Sequence, residues 1–589
     1  MGILKIPDRF HNWRTQHVTD RQMVMVLSVV IGLSVGLAAV TVKNFVFLIE
    51  TNLRVLLVGR SFFWYLILPS AGILITIFFV HSINRKPIRQ GIPLVLQSIS
   101  RNKGQIDSHY VFSSVISSAI TVGFGGSVGL EGPTIAAGGG IASNIGRVLN
   151  LNYKQVTLLL GCACAGAMAS IFKAPVAAVV FALEVIMLDL TMWAMVPLLL
   201  SSVTAVLTSY LFLGHNHLYA FVVQGTFELN QVLFYLVFGV FMGFVAVYFI
   251  KVFLFLPPLF QKISNPYLKL VLGGTLLGIL IFLVPSLYGE GYEVINSSLQ
   301  GNFDFLFQRT PYVSYQSSAL MVLLLFFVIL LLKVVATSLT VGIGGVGGIF
   351  APMLFSGAIA GLFFTHLLFQ LGFSLPASNF ALVGMAGMIA AVIHAPLTSI
   401  FLIAEITKGY DLFVPLMIVS TIAYATSRLF YAHSVYAIQL AKRGELMTHH
   451  KDKALLMLLN VNELIETDFS IVKPEQKMTD LVEVIKFAHR NIFPVVETDG
   501  TFRGLIKLDD IRHVMFNQEV YDTVYIRDMM FIPDDVIFTS DSVEEVAQKF
   551  QQSGSYNIVV IQHGKYLGFV SRAKLFSAYR DLLKNISEH

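Results

Sequence analysis

Residues 121–146 read TVGFGGSVGLEGPTIAAGGGIASNIG, and residues 341–357 read VGIGGVGGIFAPMLFSG. Both stretches are apolar, but glycines and a proline interrupt each of them, so neither predicts one continuous helix. At membrane depth, interrupted backbone is tolerated only where it is buried in protein or lines a watery cavity. The two stretches therefore predict broken helices inside a membrane protein, while some glycines, such as those at 138–140, favour close helix packing instead.

The composition of the chain also indicates a membrane protein. Hydrophobic residues make up 55% of the 589 residues and charged residues only 13%, whereas soluble domains carry roughly 25% charge. A spanning helix needs about 20 apolar residues, and uncharged runs that provide such spans lie at 23–42, 195–213, 231–250 and within 334–404. This composition excludes a soluble enzyme, a disordered chain and a nucleic-acid binder. The two cysteines are too few for a disulfide framework or a zinc site, and no metal site is expected.

An internal repeat relates the two broken stretches. Residues 166–184 read GAMASIFKAPVAAVVFALE and residues 387–405 read GMIAAVIHAPLTSIFLIAE, so that Gly, Ala-Pro and Glu recur at an offset of 221 residues. Upstream, Pro133 and Pro352 recur at an offset of 219. Membrane transporters built from repeats place their site near the membrane midplane, where broken helices meet. The sequence therefore predicts an all-α polytopic membrane domain with a transport site at that position.

Three short stretches in the membrane domain have the features of anion-binding helix N-termini. They read QGIP at 90–93, GLEGP at 129–133 and GIFAP at 348–352, and each precedes an apolar, helix-like run. The unpaired N–H groups and the dipole of a helix N-terminus attract anions. Proline in the first turn loses no needed hydrogen bond. Because none of the three stretches contains Lys or Arg, they favour a small anion that binds weakly enough to be released.

Glu131 is the only acidic residue in these stretches. A carboxylate at convergent helix ends competes with an anion for the same site and withdraws when it is protonated. Glu131 is therefore a candidate gate and proton carrier. The alternative is that it caps a helix and has no role in transport.

The C-terminal part of the chain is a separate, acidic module. Residues 451–589 hold 16 Lys and Arg and 21 Asp and Glu, whereas the first 450 residues hold 24 and 14. Two strand pairs, at 493–506 and 557–570, recur at an offset of 64 residues, and helix-like runs flank each pair, which predicts a small α/β unit used twice. The predicted segments are an N-terminal segment 1–20, a transmembrane domain 21–445 with repeats at about 21–215 and 228–445, a linker 446–465, and tail units at 466–518 and 523–589.

These motifs resemble those of the CLC family of chloride channels and proton/chloride exchangers. GLEGP is similar to the family's G-K/R-E-G-P motif, GIFAP to its G-x-F-x-P motif, and QGIP to the end of its G-S-G-I-P motif. His433-Ser434-Val435-Tyr436 resembles the start of the family's last membrane helix. The resemblance covers nearly the whole chain, because the tail resembles the CBS-domain pair that many members carry.

The resemblance implies an inverted-repeat fold, a homodimer with one pore per subunit, and chloride as the transported ligand with no required cofactor. It makes Glu131 the gate and implies that backbone amides and the Tyr436 hydroxyl bind the anion. The residues that it assigns to anion binding are Gln90, Gly91, Ile92, Ile349, Phe350 and Tyr436, and the motif glycines and prolines are Gly129, Gly132, Pro133, Gly348 and Pro352.

This sequence departs from the family pattern at several positions. Gln90 stands where the family has a serine at the central anion site, which affects the expected selectivity. Leu130 stands at the basic position before the gate. Val185 stands where exchangers have an internal proton-transfer glutamate, and it follows Glu184, which matches their preceding acidic residue. Valine carries no proton, so the sequence favours uncoupled, channel-like chloride conduction through a Glu131-gated pore. A proton-coupled exchanger remains the alternative, since some exchangers lack that carboxylate and Asp189 lies about one turn further on.

CBS pairs often bind adenine nucleotides through G-h-h-S/T-x-x-D, where h is apolar, and each copy here keeps half of that motif. The first copy has Lys507 and Asp510, and the second has Ser571 but Lys574. A nucleotide at these residues and a purely structural, dimerising tail are both consistent with the sequence.

Other functions and the location of the protein follow from the same observations. A CBS-containing cation transporter is a remote alternative, because it needs clustered oxygen ligands and residues 334–404 contain no charged side chain. No enzymatic motif occurs in the apolar body, so enzymatic activity is not expected. The basic lead before the first span predicts a cytoplasmic N-terminus, and the tail is expected on the same side. The expected location is the plasma (inner) membrane, with lipid and small anions as partners and no nucleic acid.

Overall fold

The computed structural model describes residues 17–57, 63–186, 192–214, 227–300, 306, 318–442 and 459–587. The chain divides into two compact units, Met1–Leu446 and Met447–His589. The secondary-structure elements in the described part of the first unit are helices, and eight of them are long and apolar enough to cross a membrane. The predicted all-α polytopic architecture is therefore confirmed.

The helices of the membrane unit fall into two series. The first series is α1 (Asp20–Leu57), α2 (Trp64–Phe78), α3 (Gly91–Arg101), α4 (Tyr110–Gly123), α5 (Glu131–Val148), α6 (Tyr153–Phe172), α7 (Pro175–Phe181) and α8 (Met195–Leu213). The second series is α9 (Val232–Gln261), α10 (Pro266–Leu283), α11 (Tyr292–Leu299), α12 (Ala319–Gly342), α13 (Phe350–Gln370), α14 (Ala377–Ile393), α15 (Pro396–Ile406), α16 (Phe413–Arg428) and α17 (Val435–Lys442). Helical turns of other types extend several of these helices, such as the π-helical turn Ala182–Ile186 after α7.

Burial separates the centre of the unit from its lipid-facing surface. In α14, every residue from Ser378 to Ile393 is buried. By contrast, large apolar side chains are exposed on the outer helices, among them Leu211 at 80% and Leu229 at 82%. Exposed apolar surface of this extent marks contact with a membrane or a partner protein rather than with water.

The two broken stretches have the predicted interruptions. In the first, α4 ends at Gly123 and α5 begins at Glu131; in the second, α12 ends at Gly342 and α13 begins at Phe350. The loop of the first stretch turns at Gly125, whose φ of +93° is unfavourable for residues with a side chain.

The loops of the two broken stretches hold each other. Gly129 and Gly348 exchange two backbone hydrogen bonds, of 2.8 and 2.7 Å. The Ser127 amide donates to the Thr340 hydroxyl oxygen at 3.2 Å, and the Val346 amide donates to the Thr121 hydroxyl oxygen at 3.1 Å. Each loop is thus fixed by a threonine of the other repeat, and the antiparallel glycine pair joins the two repeats at their broken helices.

The tail unit contains the predicted α/β element twice. Its helices are α18 (Val461–Leu464), α19 (Met478–Phe487), α20 (Leu508–Ile511), α21 (Ile526–Met529), α22 (Val543–Ser553) and α23 (Arg572–Ser587), and its strands are β1 (Ile492–Val496), β2 (Phe502–Lys507), β3 (Ile537–Phe538), β4 (Asn557–Gln562) and β5 (Lys565–Ser571). Strands β1 and β2 pair antiparallel, as do β4 and β5, while β3 runs parallel to β4. A shared apolar cluster that includes Leu505 and Phe569 packs the two copies together.

The end of the predicted linker belongs to the folded tail. Residues 446–458 lie outside the described residues, but Val461 and Leu464 are buried in one core with Ile537 of the second copy. Glu466 exchanges two backbone hydrogen bonds with Phe569 of β5, at 2.7 and 2.9 Å. The prediction of a linker over 446–465 is wrong in this part, because the apolar side chains of α18 complete the core of the second α/β copy.

Candidate anion pathway

Four helices of the membrane unit begin at one small cavity. It lies at the starts of α3, α5, α13 and α17, and all six residues predicted to bind the anion line it. The lining residues are Gln90, Gly91, Ile92, Pro93, Gly132, Gly348, Ile349, Phe350 and Tyr436. That these residues bind an anion stays a prediction; the structure shows that they share one cavity.

Three of the four helix N-termini at this cavity have no side-chain cap; the exception is α17, where the Ser434 hydroxyl oxygen accepts from the Ala437 amide at 3.3 Å. Gln90 before α3, Leu130 before α5 and Ile349 before α13 make no capping hydrogen bond through their side chains. The first N–H groups of a helix have no partner within the helix and require a cap, water or a ligand. Their partial positive charges add to one another at the cavity. Since none of the lining residues is basic, an anion in this cavity would be attracted by helix ends rather than by a full charge.

Glycine lets the helix ends approach one another closely enough to enclose a small ion. A Cβ added at Gly91 would lie 1.7 Å from the Gly132 carbonyl oxygen, and one added at Gly348 would lie 3.0 Å from the Gly132 nitrogen. Any side chain at these positions would separate α3, α5 and α13.

Tyr436 contributes the phenol that the resemblance implies. It is the second residue of α17 and is only 4% exposed. Within the described part of the chain its hydroxyl makes no hydrogen bond, so the hydroxyl can donate to a ligand in the cavity.

Glu131 is fully buried at the first position of α5. Its Oε1 accepts a hydrogen bond of 3.1 Å from the Tyr292 hydroxyl. Its Oε2 makes no hydrogen bond of normal geometry within the described part of the chain. The backbone amides of Glu131 and Ala351 nevertheless lie beside the carboxyl group. The carboxyl group therefore sits at the start of α13, where an anion arriving from the cavity would meet the same donors. Glu131 itself is not among the lining residues but interacts electrostatically with Tyr436.

Sequence reasoning missed four groups near Glu131. Lys43 of α1 interacts electrostatically with Glu131 and Glu290, Lys333 of α12 is fully buried, and the Leu130 amide donates to Glu290 Oε1 at 3.1 Å. The two lysines were detectable, because a charge inside an apolar span is rare and usually functional. Nothing in the sequence marked Glu290 or Tyr292.

The two glutamates of the internal repeat cap helices of the opposite repeat. Glu405 accepts hydrogen bonds from the Val176 and Ala177 amides at the start of α7, at 3.0 and 2.7 Å. Glu184 accepts from the Leu397 and Thr398 amides at the start of α15, at 3.2 and 2.8 Å, and also from the Thr398 hydroxyl. Each carboxylate thus satisfies free N–H groups and is favoured by the dipole of the helix that it caps. Both residues therefore have structural partners.

Replacing Glu405 by Gln should destabilise the protein without changing its ion pathway. The amide oxygen of glutamine still accepts, but the charge and the second acceptor are lost, so we expect a loss of about 1–2 kcal/mol in the free energy of unfolding. Thermal unfolding of the detergent-solubilised protein measures this as a lower midpoint. Glu228→Gln is the matched control, because Glu228 is exposed and its carboxylate contacts only Asn230 among the described residues. Equal midpoints for the two variants would contradict the capping role.

Val185 lies beside the Glu184 cap. It belongs to the π-helical turn after α7 and is partly buried against the main apolar core. The other acidic candidate for internal proton transfer, Asp189, lies outside the described residues. The Glu184 carboxylate, which lies within the described residues, is therefore engaged in capping α15.

The nucleotide residues proposed in the tail are already engaged or exposed. Lys507 lies over the Phe531 ring at 4.7 Å, and Asp510 is exposed. The buried Ser571 hydroxyl donates to Glu466 Oε1 at 2.7 Å. A nucleotide phosphate at Ser571 would meet the carboxylate of Glu466, so the residues present do not fit a phosphate at that position.

Known protein families and individual proteins are similar to both parts of this chain. The model of the family described as "Voltage gated chloride channel" matches residues 71–428, and the CBS-domain model matches residues 461–517 and 526–581. A relative from Ralstonia nicotianae, "Putative chloride channel protein ClcB-like", is 31% identical over 66% of this chain and 88% of its own length. An uncharacterized protein of Methanocaldococcus jannaschii is 26% identical over 58% of this chain and 80% of its own.

Solved structures share the fold. A slow cyanobacterial Cl⁻/H⁺ antiporter aligns with a TM-score of 0.61 at 22% identity and covers 72% of this chain and 98% of its own. A CLC-type fluoride/proton antiporter aligns with a TM-score of 0.57 at 25% identity, with 72% and 99% covered. A eukaryotic CLC transporter aligns over 94% of this chain and 97% of its own, with a TM-score of 0.58 at 18% identity.

Proposed function

Because the chain belongs to the voltage-gated chloride channel family, whose members transport anions across membranes, we propose that it conducts chloride through the cavity at Gln90, Phe350 and Tyr436. Glu131 gates this pore, and proton movement is not coupled to it. The observation that carries the proposal is the convergence of uncapped helix N-termini on one cavity without a basic side chain. Such a site holds an anion weakly enough to release it.

The proposal that proton movement is not coupled to chloride depends on Val185 and Glu184. A second titratable group that passes a proton to Glu131 from the other side of the membrane would favour coupled exchange. Val185 cannot titrate, and the Glu184 carboxylate accepts three hydrogen bonds at the start of α15. Protonation of that carboxylate would weaken the hydrogen bonds that cap α15, so Glu184 is poorly suited to pass a proton to Glu131.

A proton-coupled exchanger is the second candidate. Its support is the similarity, at 25% identity, to a structure described as a CLC-type fluoride/proton antiporter. Glu131 suits this mechanism equally, since one carboxyl group there both blocks the anion and binds a proton.

Flux measurements on the purified protein in liposomes distinguish the two candidates. With an outward chloride gradient, we expect valinomycin-dependent chloride efflux and no uphill proton movement. Uphill proton movement driven by chloride would establish the exchanger and overturn the role given to Val185. Absence of flux with fluoride, chloride and nitrate would overturn anion conduction itself.

Replacing Tyr436 by Phe should weaken anion binding without unfolding the protein. The substitution keeps the ring that packs at the start of α17 and removes only the hydroxyl. A hydrogen bond to a charged ligand contributes about 1.5–3 kcal/mol, so we expect the Kd for chloride to rise about tenfold or more. Calorimetric titration of the solubilised protein measures it. Tyr424→Phe on α16 is the control, and an unchanged Kd for Tyr436→Phe would remove Tyr436 from the site.

The remaining assignments are also proposals. The protein acts as a homodimer in the plasma (inner) membrane, with its N-terminus and tail in the cytoplasm. The tail is a structural and dimerising module, and the contact between Ser571 and Glu466 supports this role over nucleotide binding.

A further inference from the structure

The strongest unassigned feature near the gate is the segment 287–293, which reads LYGEGYE. It connects the turn after α10 to the first residues of α11, and it touches Glu131 and its chain neighbour by two separate contacts. The Tyr292 hydroxyl donates to Glu131 Oε1 at 3.1 Å. The Glu290 carboxylate accepts from the Leu130 amide, also at 3.1 Å.

The segment is itself held rigidly. Lys333 of α12 is fully buried and donates to the Gly289 carbonyl at 2.9 Å, with a longer contact of 3.4 Å to Leu287. The Gly289 amide donates to the Gly125 carbonyl in the loop before α5. A buried lysine with carbonyl partners holds a loop in place, because breaking these bonds leaves buried polar groups without partners in an apolar region.

From these contacts we infer that the 287–293 segment is a latch that holds the Glu131 carboxylate in its blocking position. Tyr292 holds the carboxyl group, and Glu290 holds the backbone from which it projects. The inference rests on the proposed role of Glu131 as the gate and names two positioning residues for it. To open the pore, the carboxyl group must give up the Tyr292 hydroxyl, so this hydrogen bond stabilises the closed state.

The charges around the latch decide which form of Glu131 it favours. Lys43 interacts electrostatically with both Glu131 and Glu290. Lys333 and Glu50 also interact with Glu290, and Tyr436 of α17 interacts with Glu131. A phenol hydroxyl donates more strongly to a carboxylate than to a carboxylic acid. The latch therefore favours the charged, blocking form, and protonation releases it.

Tyr292→Phe tests the latch, with Tyr288→Phe as the matched control. Both variants lose one hydroxyl from the same segment, but the Tyr288 ring packs against Gly125 and Tyr65 rather than on the gate. Loss of one hydrogen bond to a charged group should move the pH of half-maximal flux upward by roughly one unit. Tyr288→Phe should leave the pH profile in place.

A second pair of variants tests Glu290. Glu290→Gln and Glu290→Ala both remove the carboxyl group that interacts with Glu131, but only glutamine retains an acceptor for the Leu130 amide. We therefore expect a higher pH of half-maximal flux for Glu290→Ala than for Glu290→Gln. If glutamine and alanine act alike, the hydrogen bond to Leu130 has no part in gating, and Glu290 is removed from the latch.

The same measurement on a Glu131→Ala background separates the latch from the gate. If Tyr292→Phe shifts the profile only when Glu131 is present, the latch is supported. If Tyr292→Phe behaves like Tyr288→Phe, or shifts the profile equally without Glu131, the latch is overturned while the gate stands. If Glu131→Ala alone keeps the wild-type pH dependence, Glu131 is not the gate. This outcome is distinct from failure of the latch, because it is measured without any Tyr292 variant.

Discussion

Replacing Glu131 by Ala should raise chloride flux at neutral pH and remove its dependence on pH. In the structure the carboxyl group is fully buried beside the Ala351 amide, so it occupies donors that an anion needs to pass α13. Alanine leaves this position to the anion at every pH. For the wild type, a gate that opens with one proton changes the flux by up to about tenfold per pH unit. Chloride efflux from liposomes, measured across a pH series, gives both profiles.

Glu131→Gln separates the charge of the gate from its size. Glutamine has nearly the volume of glutamate and cannot take up a proton, so its flux should be independent of pH but lower than that of Glu131→Ala. Glu228→Gln is the control, because Glu228 lies outside the 287–293 segment, is exposed and accepts a hydrogen bond from Asn230. A wild-type pH profile in both Glu131 variants would show that Glu131 only caps α5, which is the alternative considered from the sequence.

The sequence was sufficient to predict the features that depend on backbone chemistry. Glycine and proline in 129–133 and 348–352 predicted where α5 and α13 begin, because these residues restrict where a helix can start. The repeat of Ala-Pro and Glu predicted two related halves, and the structure pairs them through Gly129 and Gly348. The same backbone argument led to the residues of 90–92 and 349–350, which share one cavity, whereas Tyr436, which also lines it, was implied only by the family resemblance.

What the sequence could not predict depends on contacts between distant segments. Tyr292 and Glu131 are 161 positions apart, and no motif relates a tyrosine in an unremarkable segment to a gate. Likewise, the tail motif left Ser571 open to a nucleotide or to a structural role, and nothing in the sequence indicated that its hydroxyl donates to Glu466, which lies 105 positions earlier. Val461 and Leu464 were read as linker because a four-residue helix has no periodic pattern, and only the core of the second copy shows why they are apolar.

Replacing Gly91 by Ala should abolish conduction. The added Cβ would lie 1.7 Å from the Gly132 carbonyl oxygen and 2.6 Å from the carbonyl carbon. Both partners are helix backbone, so no side chain can rotate away, and α3 must separate from α5 at the cavity. Overpacking of this kind costs typically 1–3 kcal/mol even where side chains can adjust. We expect chloride flux to fall at least tenfold, measured in liposomes at equal protein content.

Gly409→Ala is the matched control, since its added Cβ meets only the Asp411 side chain at 3.3 Å and the Thr407 carbonyl oxygen at 4.0 Å. Each variant adds a single methyl group, but at a different place. A loss of chloride flux in Gly91→Ala alone would therefore locate conduction where the starts of α3 and α5 meet. Size-exclusion elution at the wild-type volume would show that Gly91→Ala folds and that its pore geometry alone is lost. Wild-type flux through a folded Gly91→Ala protein would contradict the pathway, because no anion route through this cavity can keep its width while the two helix ends move apart.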